Sequence, residues 1–460
     1  MLRGASAVTI TARLHEVFAG DGGEPTPLER ATLRFYLTGM VFQGLWWAGY
    51  LLIPFVLAKS LRAPTALITL SVMMDNLGMF LALYWGHLLA TRGGLRRYLL
   101  WAGILGRLVL LGVVFVRSAG QMVGLLAVVY VFAAMIYPAQ NTILENNFRP
   151  EVRGRWFGIG ALVQNSVAVV ASLAIGWLLD LDAELFRAVY ASLGICGFLY
   201  LWLLARAPTP AGTPPRLESG AVGLAAVVPL PPAAVGPFTP GRVLRGLARP
   251  FTDALRIFRT DRAFNWFEIN FMTYGAAFMC LSPVVPIFLT DRLALSYGEI
   301  STARVMIGQI GVALLGPLMG RANDRYHPVR LCAVAFALFA LYPVMLDLAG
   351  ALPVAAPVRL VYVAFAVYSV GMAGINVVWN VGSIAFAPPG RGGYYQGIHV
   401  AMVGIRGTLG PLLGWAVYEW VGLRAVFALA ALLLLAAALS SAALWRDMAG
   451  AERGRHPGER

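Results

Sequence analysis

Twelve long apolar runs, separated by short polar segments, limit this chain to one class of fold. One helical crossing of a membrane needs about 20 predominantly apolar residues, and each run can supply one crossing. Only 13% of the residues are charged, against roughly 25% in soluble proteins. The sequence therefore excludes a soluble globular protein and predicts an all-α polytopic membrane protein of twelve transmembrane helices. The runs lie at approximately 33–58, 64–90, 98–116, 121–142, 157–179, 186–205, 263–290, 296–320, 329–350, 356–387, 394–421 and 424–445.

A segment rich in proline, glycine, alanine and arginine divides the twelve runs into two groups of six. Such a composition is typical of an irregular linker rather than of a helix. We therefore predict a tail, a six-helix lobe, a linker, a second six-helix lobe and a second tail. Their boundaries are 1–28, 29–205, 206–260, 261–446 and 447–460.

The basic residues indicate how the chain is oriented. The even-numbered loops, the linker and the two tails carry 26 Lys and Arg residues, whereas the odd-numbered loops carry 7. Because basic loops stay on the cytoplasmic side, both termini and the linker are expected to be cytoplasmic, in the bacterial inner membrane. The excess of arginine, with a formal charge of +14, is explained by anionic lipids of the cytoplasmic leaflet and not by nucleic acid.

The two halves repeat each other, which is the most specific signal in the sequence. Glu29-Arg30-Ala31, Met40 and Pro54 recur 232 positions later as Asp261-Arg262-Ala263, Met272 and Pro286. A second match, which includes Arg153-Gly154 and Arg391-Gly392, recurs at an offset of 238. The order of the matches favours duplication of one ancestral six-helix unit.

The loop after the eighth run reads Gly320-Arg321-Ala322-Asn323-Asp324-Arg325. With six spans, a linker and six more spans, the chain resembles the major facilitator superfamily, whose signature loop is G-x-x-x-D-R. The resemblance implies two six-helix lobes related by a pseudo-twofold axis around a midplane substrate site that opens alternately to either side.

The same loop could form a gate, because charged side chains at helix ends can make contacts in one conformation that break in the other. We expect Asp324 and Arg325 to meet the residues near Arg153, with Gly320 and Arg391 in the same role. The alternative is a tight turn whose charges are simply solvated.

Ionisable residues within the apolar runs are costly and are therefore functional candidates. Asp75 lies in the middle of span 2 and Arg406 in the middle of span 11. The resemblance places these two spans face to face, so we expect the two residues to pair as a latch or as part of a proton route. In the alternative, each is satisfied separately by neighbouring groups. Glu145 and Glu268, near the ends of spans 4 and 7, are further candidates for proton acceptors.

The resemblance also implies that spans 1, 4, 7 and 10 line the substrate cavity. A polar and aromatic lining of this kind suits a ligand that is mostly apolar with a few hydrogen-bonding groups, or a weak cation stacked on Trp or Tyr. The alternative for each side chain is packing between helices. The expected lining residues are Gln43, Trp46, Trp47, Tyr50, Tyr137, Gln140, Asn141, Tyr274, Asn376, Trp379 and Asn380.

The sequence contains no motif for enzymatic catalysis. The single lysine, Lys59, is not preceded by the glycines of a phosphate-binding loop, so no ATPase domain is expected, and no metal site or cofactor is predicted. We therefore expect a monomeric secondary transporter for a small amphipathic or aromatic solute, with proton coupling as an open possibility. The alternative is a non-transporting assembly factor or lipid-handling protein built on the same frame, since fold alone does not determine function.

Overall fold

The computed structural model describes residues 25–92, 94–208, 257–351, 357–388 and 392–455, apart from the side chains at some helix positions. The described residues form twelve helical segments, some of which are interrupted. Most of the two predicted tails and of the predicted linker lies outside these residues, so the domain boundaries stay predictions. Among the described residues, nine helices are long and apolar enough to cross a membrane.

The first group comprises α1 to α6. Their bounds are α1 Pro27–Lys59, α2 Thr65–Arg92, α3 Leu95–Gly106 with a 3-10 extension Leu108–Phe115, α4a Ala119–Ala133 and α4b Ile136–Asn147, α5 Pro150–Leu181 and α6 Phe186–Leu204. The break within α4 has a local cause. Pro138 has no backbone N–H that could bond the carbonyl of Ala134 in a continuous α-helix.

The second group comprises α7 to α12. Their bounds are α7 Arg262–Ile287 with a π-helical extension Phe288–Arg292, α8a Tyr297–Ser301 with a π-helical continuation Thr302–Ile307, α8b Gly308–Tyr326, α9 Pro328–Ala351, α10 Pro357–Val381, α11 Gly392–Trp420 and α12 Leu423–Arg455. The end of the bundle where α6 finishes and α7 begins is called the linker side below, and the opposite end is called the far side.

The repeated acidic residues perform similar tasks in the two halves. Glu29 completes a capping box with Thr26 at the start of α1 and also forms an ion pair with Arg149, whose Nε lies 3.0 Å from its carboxylate. Asp261 caps α7 at Phe264 and accepts a hydrogen bond from the Tyr395 hydroxyl of α11 at 3.0 Å. Each acidic residue therefore holds the first helix of its lobe and bonds to a residue at or beside the fifth.

Small residues let those first and fifth helices approach closely. A Cβ added at Gly44 of α1 would lie 2.6 Å from the carbonyl oxygen of Gln164 on α5. In the second half, a Cβ at Gly414 of α11 would overlap the backbone of Cys280 on α7. Close approach at small residues is a common source of helix association in membranes, and here it builds both lobes in the same way.

Two pairs of helices make the most extensive contacts between the lobes. Gly407 of α11 packs against Asn76 of α2. Gly176 of α5 packs against the start of α8, where an added Cβ would lie 2.8 Å from the carbonyl oxygen of Tyr297. The space between the lobes is therefore bounded by α2 with α11 and by α5 with α8.

Candidate functional site

The far side of the interface is closed by a carboxylate that bonds to the backbone of the other lobe. Asp180, near the end of α5, accepts hydrogen bonds from the backbone N–H groups of Tyr297 at 2.6 Å and Gly298 at 2.7 Å. These N–H groups have no acceptor within their own helix because they belong to its first turn. An anion is also favoured there by the helix dipole. The carboxylate of one lobe thus accepts hydrogen bonds from the free N–H groups at the start of a helix in the other lobe.

The end of α1 adds two further polar contacts across the same interface. Lys59 Nζ donates to the carbonyl oxygen of Leu295 at 2.7 Å and lies 4.8 Å from the centre of the Tyr297 ring. The Ser60 hydroxyl lies 2.7 Å from the Tyr297 hydroxyl. Three residues of the first lobe, Asp180, Lys59 and Ser60, therefore contact Tyr297, and its side chain is fully buried.

The linker-side halves of α5 and α8b are packed differently. A Cβ added at Gly158, Gly316 or Gly320 would meet no atom within 4 Å. Leu314 and Leu318 are 74% and 55% exposed. The close packing of these two helices, as far as the described residues report it, is therefore found toward the far side.

Asp75 is bound within its own lobe. The Tyr50 hydroxyl of α1 donates a hydrogen bond to the Asp75 carboxylate. The Tyr50 ring stacks on Trp47, with 4.8 Å between the ring centroids, and meets Tyr130 of α4a edge-on. Of the predicted cavity residues, Tyr50 therefore contacts this carboxylate directly, and Trp47 packs against the Tyr50 ring.

Arg406 is also bound within its own lobe. Its Nη1 donates to the carbonyl oxygen of Phe271 at 2.7 Å, and its guanidinium lies 5.4 Å from the centre of the Tyr274 ring. Gly275 leaves the space for this arrangement, because a Cβ there would overlap Cδ and Nε of Arg406.

The expected pair of Asp75 and Arg406 is not formed in this conformation, because each residue has its partner in its own lobe. The two helices do face each other as expected, but through Asn76 and Gly407. Successive residues of a helix are rotated by about 100° about its axis. Asp75 and Arg406, which directly precede the contact residues Asn76 and Gly407, are therefore directed away from the interface.

Glu268 is more deeply enclosed than its position near a helix end suggests. Its Oε1 lies 2.8 Å from Nδ1 of His399 on α11, and both side chains are almost completely buried. The rings of Phe267, Phe271 and Trp379 surround the imidazole. His399 is not among the predicted site residues, although its spacing of seven residues from Arg406 places both on one helix face.

The other predicted cavity residues are distributed over several environments. Trp46 lies beneath the guanidinium of Arg107 at 3.7 Å, so the structure places it inside the first lobe and not at the lobe interface. Gln140 accepts a hydrogen bond from Tyr200 at 2.9 Å. Gln43 is half-buried, Asn376 is exposed, and Asn380 donates to the backbone of Asn376. The side chains of Tyr137, Asn141 and Glu145 lie outside the described residues.

The predicted gating contact remains a prediction. Arg325 is exposed and lies over the ring of Tyr326, and Arg153 is half-buried. The Asp324 side chain and Arg391 lie outside the described residues, and Gly320 is in the unpacked part of α8b.

Twelve helical segments, nine of which are long and apolar enough to cross a membrane among the described residues, define a polytopic membrane protein. A family model described as Major Facilitator Superfamily matches residues 35–346 and also residues 269–460. The chain belongs to this family, which confirms the expected family and the all-α fold and identifies a transporter rather than an enzyme.

Individual relatives are more distant. The chain is 26% identical over 113 residues to "Uncharacterized MFS-type transporter YfiU" of Bacillus subtilis (strain 168). That match spans 25% of this chain and about one fifth of the relative's length, 21%.

Two solved structures are similar over nearly the whole chain. A mutant of the nucleoside transporter NupG has a TM-score of 0.69 at 16% identity, covering 90% of this chain and 99% of that one. An auto-inhibited POT family peptide transporter has a TM-score of 0.63 at 15% identity, covering 90% and 96%. At these identities the similarity concerns the fold.

Proposed function

We propose that this chain is a secondary active transporter that moves a small, amphipathic or aromatic solute by alternating access. The observation that carries the proposal is the set of cross-lobe contacts made by Asp180 and Lys59. These hydrogen bonds link polar groups of one lobe to backbone groups of the other, so breaking them removes no contact inside either lobe. Contacts of this kind suit a gate that closes one side while the solute enters from the other.

The distribution of basic residues indicates which side of the membrane this gate faces. With the linker and both termini in the cytoplasm of a bacterial cell, the far side faces outward, and the described conformation is the one closed to the outside. Gly158 of α5 and Gly316 and Gly320 of α8b, where an added Cβ would meet no atom of the other lobe, support this assignment. The transporter acts as a monomer in the inner membrane, with anionic lipids along its arginine-rich cytoplasmic surface.

Proton coupling is proposed through two carboxyl groups in the spans. Asp75 accepts from the Tyr50 hydroxyl, and Glu268 bonds to His399. Each carboxyl group has a partner that can also bond to its protonated form, because a hydroxyl and an imidazole can both donate and accept. Protonation therefore changes the charge inside each lobe without leaving the partner unpaired.

The proposal is tested with the purified full-length chain in proteoliposomes. Ligands are first found by thermal stabilisation, since a ligand that prefers the folded state raises its apparent stability. The radiolabelled ligand is then used in counterflow, with a pH-sensitive dye inside the vesicles. We expect solute flux in the wild type and loss of the accompanying proton flux in Asp75→Asn or Glu268→Gln. Stabilising ligands without any flux, together with a stably co-purifying protein, would instead support a non-transporting role.

A further inference from the structure

The interior of the second lobe contains more positive than negative charge. Five or more residues from the ends of its six predicted spans, the Asp, Glu, Lys and Arg residues of this lobe are Glu268, Arg304 and Arg406. Burying a charge without a counter-charge is costly, so such residues are normally paired. One carboxylate can offset the charge of only one of the two guanidinium groups. The other guanidinium group therefore has no counter-charge inside the lobe.

Neither arginine forms an ion pair with a carboxylate in the described part of the chain. Glu268 is close enough to Arg406 to act on it electrostatically, but its short contact is with His399. Nε of Arg406 is buried and has no hydrogen-bond partner among the described residues. The whole Arg406 side chain is only 6% exposed, so bulk water does not compensate for this missing partner.

The polar partners of Arg304 among the described residues are tyrosines. It lies in the π-helical part of α8, which places its Nη1 2.9 Å from the Tyr368 hydroxyl of α10. Its other electrostatic neighbour is Tyr342 of α9. Irregular π-helical turns occur frequently at functional sites, and this one directs a guanidinium group inward between spans.

A row of aromatic rings joins the two arginines. From Arg406 the row begins at Tyr274, continues one turn along α7 to Phe278 with 6.3 Å between centroids, and reaches Tyr368 at 6.5 Å. Arg304 is bonded to that last ring. Phe278 is partly exposed, so the middle of the row is accessible, and α7 contacts α1 and α2 of the first lobe.

We infer that the transported solute is a small aromatic organic anion, with its ring against Phe278 and its negative group bound by the guanidinium of Arg406 or Arg304. This inference rests on the proposed transport function and names its substrate class. A carboxylate supplies the counter-charge that the lobe lacks, and a guanidinium group binds a carboxylate in a planar, two-point geometry. A cationic solute would instead add a third positive charge to the same wall.

The test compares three compounds of one shape: 3-phenylpropanoate, 3-phenylpropanamide and 3-phenylpropylamine. Binding to the purified full-length chain is measured by calorimetry, and uptake by proteoliposomes. We expect the carboxylate to bind at least about tenfold more tightly than the amide, which corresponds to about 1.4 kcal/mol, and the amine to bind most weakly.

Variants test whether the guanidinium groups of the second lobe bind the carboxylate. Arg406→Gln and Arg304→Gln are expected to reduce the preference for the carboxylate over the amide at least about threefold each. Arg424→Gln is the matched control, because Arg424 is exposed and lies at the far side beside Asp347, and it should retain the preference. Gly275→Ala keeps every charge but displaces Arg406, so it should weaken carboxylate binding more than amide binding.

The outcomes separate this inference from the transport proposal. If the wild type prefers the amide or the amine, or binds none of the three compounds, the inference is overturned whether or not the variants fold. If the amide or amine is taken up by the vesicles, transport stands without an anionic substrate. If the carboxylate binds selectively but is not taken up, the anion site stands and the transport proposal fails.

Discussion

Replacing Asp180 by Asn should loosen the far-side closure without disturbing either lobe. The carboxylate accepts two backbone N–H groups of the other lobe, at 2.6 and 2.7 Å. Asparagine has one acceptor oxygen, and its NH2 group would face the second N–H. The variant therefore loses the negative charge at a helix start and one of the two hydrogen bonds.

The size of this effect follows from the geometry. A hydrogen bond to a charged group contributes about 1.5–3 kcal/mol. Asp180 is exposed, and solvent screening reduces such contributions, so a loss of about 1–2 kcal/mol of closure free energy is expected. That loss corresponds to a change of about 5- to 30-fold in the ratio of open to closed molecules.

Lys59 provides the assay, because it is the only lysine in the chain. In the closed form its ammonium group is occupied by the carbonyl of Leu295 and the ring of Tyr297. The purified protein is treated with an amine-acetylating reagent, and modification of the Lys59 peptide is followed by mass spectrometry, which separates it from the N-terminal amine. While the closed form predominates, the labelling rate of Asp180→Asn should rise by about the same 5- to 30-fold factor.

The matched control lies two residues away. Asp182 is also exposed, but its carboxylate caps Glu184 within the first lobe, so Asp182→Asn should label like the wild type. Equal labelling of Lys59 in Asp180→Asn and the wild type would refute the reasoning, as would an equal increase in both variants.

Further changes test other parts of the account. Gly176→Val should raise Lys59 labelling without changing any charge, because its side chain would meet the start of α8; unchanged labelling would show that this contact is not needed for closure. Asp75→Asn should abolish solute-driven proton flux while keeping the thermal stability of the wild type, and a normal proton flux would remove Asp75 from the coupling route. His399→Ala should destabilise the chain by about 1–3 kcal/mol, since it leaves the Glu268 carboxylate buried without its partner. An apparent Tm equal to that of the wild type would contradict the importance of this pair.

The spans can be predicted from the sequence because membrane thickness sets their length directly. Span 1 is expected at about 33–58 and runs from Pro27 to Lys59, and its earlier start follows from the capping box of Thr26 and Glu29. Span 4 is expected as one continuous helix, but it breaks after Ala133. The sequence does contain a signal for that break, Pro138, which hydropathy alone does not register.

The partners of the site residues are much harder to predict. Asp75 and Arg406 lie on facing helices as expected, yet the rotation of each helix about its axis turns them away from each other. Periodicity gives the relative angle of residues within one helix and not the angle toward a second helix. Lys59 and Asp180 bond to backbone groups of the other lobe, and backbone partners carry no side-chain signature at all. Glu268 and His399 form a pair across 131 positions, which only the packing of α7 on α11 determines.

If the two ends of the lobe interface open alternately, paired distance measurements in one molecule should follow both ends. Spin labels at Ala183 and Arg292 report the far side, and labels at Arg97 and Arg330 report the linker side, in a variant whose three native cysteines are replaced. All four positions are exposed. Alternating access requires two distance populations for each pair, with the far-side pair lengthening as the linker-side pair shortens when ligand is added or Asp180 is changed to Asn. A single distance for both pairs under all these conditions would contradict alternating access in this chain.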